Sequence, residues 1–252
     1  MRMPRRLRHD EGVGLVDHLD ELRARLFVAV GAVVVGFALA YVFHRRLLDW
    51  LNQSLPAAHR RPVTFGVAEP FMTSVKISLV AGIALALPVI FWQAWSFFAP
   101  AFDDRARRAV AYLTGFACVL FVAGVAFGKG IALPAALKFL TTYDDRQYTI
   151  MIRAQDYYSF ALTVLAAVGI VFELPVFILG LVRLNVLSSA KLRRNRRIGI
   201  VAMTALAVAL PGVDPVTTLL EMVPLLLLFE ASIWLAVFFE KRWLAAPSAL
   251  PT

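Results

Sequence analysis

The chain has 252 residues, 60% of them hydrophobic, and a formal net charge of +9 from 26 Lys and Arg against 17 Asp and Glu. That apolar share lies well above the ~45–50% of soluble domains and excludes an ordinary water-soluble fold. A single cysteine, Cys118, excludes both an intrachain disulfide and a cysteine metal cluster.

Leu15, Leu19, Leu22 and Leu26 recur at helical spacing, with Asp17, His18, Asp20, Glu21, Arg23 and Arg25 between them. This pattern predicts an amphipathic helix at the membrane surface that runs into a first span. Uncharged runs occupy 26–43, 77–102 and 109–127. Further runs at 157–182, 198–213 and 215–239 bring the number to six. The fourth holds Glu173; the sixth holds Glu221 and Glu230. Four runs are long enough to cross ~30 Å of hydrocarbon as helices, the sixth is long but acidic, and the fifth is short. The first run begins only after a polar segment, and no small-residue cleavage pattern follows it, so a removable signal peptide is not expected.

Residues 45–73, with Pro56, Pro62 and Pro70 as breakers, predict a substantial outer loop. A second outer segment is expected at 128–156, containing Pro134 and the Asp144-Asp145-Arg146 cluster, and the two together would cap one end of a bundle. Gly124 and Gly128 form a G-x-x-x-G that permits close helix approach or simply accompanies ordinary packing. The third outer connection is only Pro211-Gly212-Val213-Asp214-Pro215, a tight turn in which Asp214 suits a helix N-cap and Pro215 a first turn. A fifth helix ending before Pro211 rises only ~20 Å at 1.5 Å per residue, so the bilayer must thin around it or its ends must be covered. Pro224 falls inside the sixth helix.

Taken by alternate segments, 17 Lys and Arg lie on one side and 9 on the other, which predicts cytoplasmic N and C termini. The basic balance is therefore topology. With no aromatic-basic motif, nucleic acid is not an expected partner. The segments divide into a basic N-terminal tail (1–14), a membrane domain (15–240) and a C-terminal tail (241–252).

Charged groups in hydrocarbon cost ~2.5–3.5 kcal/mol on insertion scales, which makes the buried acids candidates for function. Glu173, in Val171-Phe172-Glu173-Leu174-Pro175, either meets a polar group on a partner helix or exchanges a proton, or else satisfies a neighbouring helix of its own bundle. Lys76 reads as an interfacial, snorkelling lysine. His9, His18, His44 and His59 all lie in the N-terminal quarter, and no metalloprotease, P-loop or dinucleotide spacing occurs, so no catalytic residues, metal or cofactor are expected and the chain is not read as an enzyme.

Motifs along the chain then carry a resemblance. In order they are His18-Leu19-Asp20-Glu21-Leu22-Arg23-Ala24-Arg25-Leu26, Pro70-Phe71 before Lys76, and Pro88 with Trp92-Gln93-Ala94-Trp95-Ser96-Phe97 and Ala99-Pro100. Arg107-Arg108, Tyr158-Ser159-Phe160, Gly169 with Phe172-Glu173-Leu174-Pro175, Arg196-Arg197, Asp214-Pro215, and Pro224 with Phe229-Glu230 complete the series. Over about residues 15 to 240 the chain resembles the TatC family, receptor subunits of the twin-arginine protein translocase. The resemblance implies an all-α membrane protein of six transmembrane helices, a glove-shaped bundle with short helices five and six, in the cytoplasmic membrane. It also implies binding of the Arg-Arg signal peptides of folded precursors, TatA/TatB-like single-span partners, self-association, and export driven by the proton-motive force.

Carried over residue by residue, the resemblance assigns signal-peptide binding to Glu21, Arg23 and Phe97, and an intramembrane polar role to Glu173. Carboxylates suit this task because they hold guanidinium groups bidentately and so favour Arg over Lys. Two positions depart from the family. Ala106 stands where many members have a glutamate before the basic pair, and Asp103 or Asp104 is expected to supply that carboxylate. Leu210 stands where a hydroxylated residue is frequent, and Thr217 and Thr218 are expected to compensate. The alternatives are a proton-coupled small-solute transporter with Glu173 and Glu221 as relay, disfavoured by the lack of an inverted repeat, and a structural scaffold.

Overall fold

The computed structural model describes residues 15–98, 106–183, 186–211 and 214–244, and among them the regular structure is helical apart from one isolated β-bridge. The helices are α1 (Leu15–Val42), α2 (His44–Asn52), α3 (Glu69–Phe98), α4 (Ala106–Phe127), α5 (Leu133–Thr142), α6 (Ala154–Phe172), α7 (Leu174–Arg183), α8 (Ser189–Arg194), α9 (Arg196–Ala209) and α10 (Pro215–Leu244). Among the described residues, five stretches are long and apolar enough to cross a membrane: Leu19–Val42, Glu69–Phe97, Ala111–Thr142, Ala154–Arg183 and Pro215–Glu240. With the short α9 between the last two, this is the six-helix, all-α membrane architecture expected from the sequence.

Most of the large apolar side chains on α1 face outward, including Phe27, Val34 and Val35. In water such a surface is untenable, whereas lipid solvates it at no cost. The helices are therefore held by close packing rather than by a thick apolar core.

The chain forms two compact units. The first holds the described residues up to Leu51 together with Thr64–Val119. Its body is α1 against α3, which touch backbone to backbone at Gly36 and Gly82. A Cβ on Gly36 would collide with the Gly82 carbonyl, and one on Gly82 would lie 2.6 Å from the Phe37 Cα. The turn into α3 is fixed by the buried Glu69, whose Oε2 accepts from the backbone N–H of Phe65 (3.1 Å) and of Gly66 (3.3 Å).

The second unit holds Asn52–Val63 and the described residues from Leu120 onward. Here α4 and α6 cross at small residues: a Cβ on Gly124 would sit 2.8 Å from the Phe172 side chain and 3.0 Å from the Gly169 Cα. A Cβ on Gly128 would meet Leu165 at 3.1 Å, so both glycines of the G-x-x-x-G face α6. The piece of the first loop in this unit is pinned to the start of α6. The Val63 N–H donates to the Ile152 carbonyl (2.9 Å), the Ala154 N–H to the Val63 carbonyl (2.8 Å), and the Tyr158 hydroxyl to the Asn52 side chain (2.8 Å).

Two boundaries differ from the expectation. The segment expected as loop from Gly128 stays helical to Thr142. Pro134 lacks the N–H that would continue the α-ladder, and one π-turn over Gly128–Ala132 absorbs the defect, the Leu133 N–H reaching the Gly128 carbonyl. The loop proper is short and turns at Asp144, whose φ of 52° is tolerated by its small polar side chain. The sixth helix, implied to be short, runs 30 residues and passes through Pro224. The fifth is short as expected: α9 has 14 residues, ~21 Å of rise.

Candidate functional site

Polar groups gather in two places, one in each unit. In the first, Glu21 lies on the polar face of α1, four residues before Arg25, a spacing that brings the two side chains together. Arg25 donates to Glu21 Oε1 through Nε (3.0 Å) and Nη2 (2.5 Å), and its Nη1 donates to Gln93 Oε1 on α3 (3.3 Å). Both partners of the ion pair are mostly covered, with 23% and 20% of the Arg25 and Glu21 side chains exposed. Phe97 is half-buried one turn beyond Gln93 on α3, and by helical spacing the two share a face. Arg23 is exposed and sits over the ring of Phe27, 5.6 Å from its centroid. Asp103 and Asp104 lie outside the described residues.

The second unit contains the intramembrane acids Glu173 and Glu221. Glu173 occupies the corner between α6 and α7, where Pro175 interrupts the helical ladder. Both of its carboxylate oxygens are covered and make no hydrogen bond of normal geometry, although the Phe121 backbone lies close by. Asp214 caps α10 as expected, Oδ1 accepting from the Thr217 N–H at 2.8 Å. Thr217 and Glu221 follow on the same face, and all three are at least 98% buried. Asp214 Oδ2, the Thr217 hydroxyl and both Glu221 oxygens have no hydrogen-bond partner. Thr218 differs, its hydroxyl bonding back to the Asp214 carbonyl at 3.0 Å. Thr217 therefore offers an unused polar group, while Thr218 already spends its own on the helix.

Midway along α10, Glu230 pairs with Arg196 at the start of α9 (3.1 Å). Glu240 Oε2 accepts from the Ser189 N–H that opens α8 (2.9 Å), and the Ser188 hydroxyl accepts from the Lys191 N–H (3.2 Å). Gly199 packs against Phe229, whose ring occupies the space a Cβ would need. Together these contacts lock α8 and α9 onto α10.

Sequence reasoning missed Arg25 and Gln93 as parts of the first site. The i to i+4 spacing of Glu21 and Arg25 was available as a signal; Gln93, 68 residues away from Arg25, gave none. It also missed Lys129, whose ammonium donates to the Ser54 hydroxyl at 2.5 Å. The one mark of Lys129 was a lone cation directly after an apolar run. Among the described residues no group of three or more His, Cys, Asp or Glu is placed to hold a metal ion.

Comparison with known proteins places these features in a family. The family model for the Sec-independent protein translocase protein TatC matches residues 17–224. The TatC protein of Carboxydothermus hydrogenoformans is 37% identical over 234 residues, covering 92% of this chain and 96% of its own length. TatCd of Bacillus subtilis is 30% identical, covering 90% and 93%. A crystal structure of the twin-arginine translocase receptor TatC in the detergent DDM superposes with a TM-score of 0.76 at 33% identity, covering 87% of this chain and 99% of that one. Five membrane-length apolar stretches, a short α9 and the ordered motifs thus have one common explanation: the chain belongs to the TatC family, as a multi-pass membrane subunit of a Sec-independent, twin-arginine protein translocase.

Proposed function

We propose that this chain is the subunit that receives Arg-Arg signal peptides of folded precursor proteins. Its receiving face lies at the start of α1 and the end of α3, on the cytoplasmic side of the cytoplasmic membrane. The single observation that carries this reading is that Glu21 already grips a guanidinium, that of Arg25, in a mostly covered position beside Gln93 of α3. A carboxylate so placed is shielded from water, which strengthens charge-assisted hydrogen bonds. Phe97 adds an aromatic surface one turn from Gln93, and Arg23, over the ring of Phe27, adds an exposed cation on the same helix as Glu21. Asp103 and Asp104 are the proposed source of the second carboxylate in place of the residue absent at Ala106.

The 17 to 9 asymmetry of Lys and Arg supports cytoplasmic termini. The buried oxygens of Glu173 and Thr217 suit a polar side chain on a TatA- or TatB-type single-span helix, because a polar group in lipid gains most from a partner. No nucleotide-binding motif occurs in the sequence, and the proton-motive force is the proposed energy source for export.

The test is the binding of a fluorescent Arg-Arg signal peptide to the full chain in detergent micelles. Glu21→Gln removes the charge and keeps the shape, and loss of a charge-assisted bond worth ~1.5–3 kcal/mol weakens binding roughly 10- to 100-fold. Binding of the variant within twofold of wild type would refute the assignment of Glu21.

A further inference from the structure

The Glu21 carboxylate is not vacant, and the manner of its occupation sets what it selects. Arg25 spends both of its Glu21 contacts on one oxygen, Oε1, while its remaining arm is tied to Gln93. Among the described residues no hydrogen bond goes to Oε2. The carboxylate is therefore charge-neutralised by a fixed internal guanidinium and yet keeps one unused acceptor. Within the same two turns the exposed Asp20 and Arg23 also cancel, so Asp20, Glu21, Arg23 and Arg25 sum to zero.

We propose that Arg25 is a specificity-determining residue: by cancelling the charge of Glu21 it makes the site read the geometry of hydrogen-bond donors rather than positive charge. This rests on Glu21 being the signal-peptide site. A bare carboxylate attracts any cation, Lys as well as Arg, because Coulomb attraction depends only on charge and distance. A paired carboxylate offers little net attraction, and what remains is a directional acceptor at Oε2. The planar, weakly hydrated guanidinium fork can reach such an acceptor while keeping its other donors engaged nearby. An ammonium is a compact, strongly hydrated point charge and gains little from it. Gln93 is the positioning residue in this scheme, because it holds Arg25 from α3 while both Arg25 contacts with Glu21 fall on Oε1. The adjacent positive charge weakens binding of every basic peptide, and it weakens the compact ammonium more than the delocalised guanidinium, whose remaining contact is directional. The arrangement thus trades affinity for discrimination.

The test compares Arg-Arg and Lys-Lys forms of one signal peptide on the full chain in micelles, for wild type, Arg25→Gln, Arg25→Lys and Glu21→Gln. Removing the charge with Arg25→Gln is expected to tighten both peptides, Lys-Lys about tenfold and Arg-Arg by no more than about threefold, so the discrimination ratio contracts. Arg25→Lys still pairs with Glu21 across one helical turn, and its ratio is expected to stay within about threefold of wild type. An unchanged ratio in Arg25→Gln, an equal weakening of both peptides, or collapse of the ratio in Arg25→Lys each overturns the proposal. Glu21→Gln tests the underlying site separately: if it leaves Arg-Arg binding intact, the site itself is wrong, whatever Arg25 does.

Discussion

Glu221 places both carboxylate oxygens in the interior of the second unit without a hydrogen-bond partner, beside an equally unsatisfied Thr217 hydroxyl. An unpaired buried polar group costs ~1–3 kcal/mol, and a leucine of similar size would fill the same space without that cost. Glu221→Leu is therefore expected to raise the thermal unfolding midpoint of the isolated, detergent-solubilised chain; an unchanged or lowered midpoint would show that the carboxyl is satisfied in the folded protein. A carboxyl that costs stability in the isolated chain directs attention to what meets it when other subunits are present. The sequence announced Glu221 as an acid within an apolar run. Asp214 was legible as an N-cap, but that Asp214, Thr217 and Glu221 all turn inward was not, because spacing puts residues on one face without saying which way that face turns. Glu21 was legible for a different reason, as part of a local motif. The tie from Arg25 to Gln93 was not legible, since no spacing rule links two residues on different helices.

The helices themselves were the most legible feature, because length and apolarity alone decide whether a segment crosses lipid. The short α9 and the Asp214 cap on α10 followed from Pro211, Asp214 and Pro215, whose backbone restrictions are strictly local. Pro134 misled for the same reason: it reads as a breaker, and only the packing of α4 and the following turn on α6 shows that a π-turn carries the helix past it. Close crossings are likewise a property of pairs. Gly36 and Gly82 give no local signal of meeting, and Gly199 gives none of the Phe229 ring against it. Overpacking a close contact costs ~1–3 kcal/mol. Gly199→Val is accordingly expected to displace Phe229, weaken the neighbouring Arg196 to Glu230 pair and lower the unfolding midpoint. Gly115→Val, at a glycine with no atom within 4 Å of an added Cβ, provides the control and should leave the midpoint nearly unchanged.

At the scale of the molecule, the six helices must share one bilayer although their lengths differ widely. α10 has 30 residues and α9 only 14, ~45 Å against ~21 Å of rise. Long helices accommodate by tilting, but a short one has no such recourse, and either the lipid around it thins or protein covers its ends. Reconstitution in phosphatidylcholines of increasing acyl length is expected to lower the unfolding midpoint steadily beyond a hydrocarbon thickness of ~30 Å. A midpoint rising with chain length would show that protein, not lipid, covers the ends of α9. Membership of the TatC family was readable because its motifs are spread in order from α1 to α10, each weak alone and specific in sequence. How the two compact units meet other subunits was not readable, because the exposed apolar side chains that clothe them look the same facing lipid or protein.

A bilayer that follows α9 is also a thinner electrical insulator. The membrane voltage then drops across roughly two-thirds of the usual depth, so the gradient beside this helix is about half again as steep as elsewhere. Any charge carried past α9 feels a stronger pull over a shorter path, and the cost of taking it out of water falls along with the depth of oil it must cross.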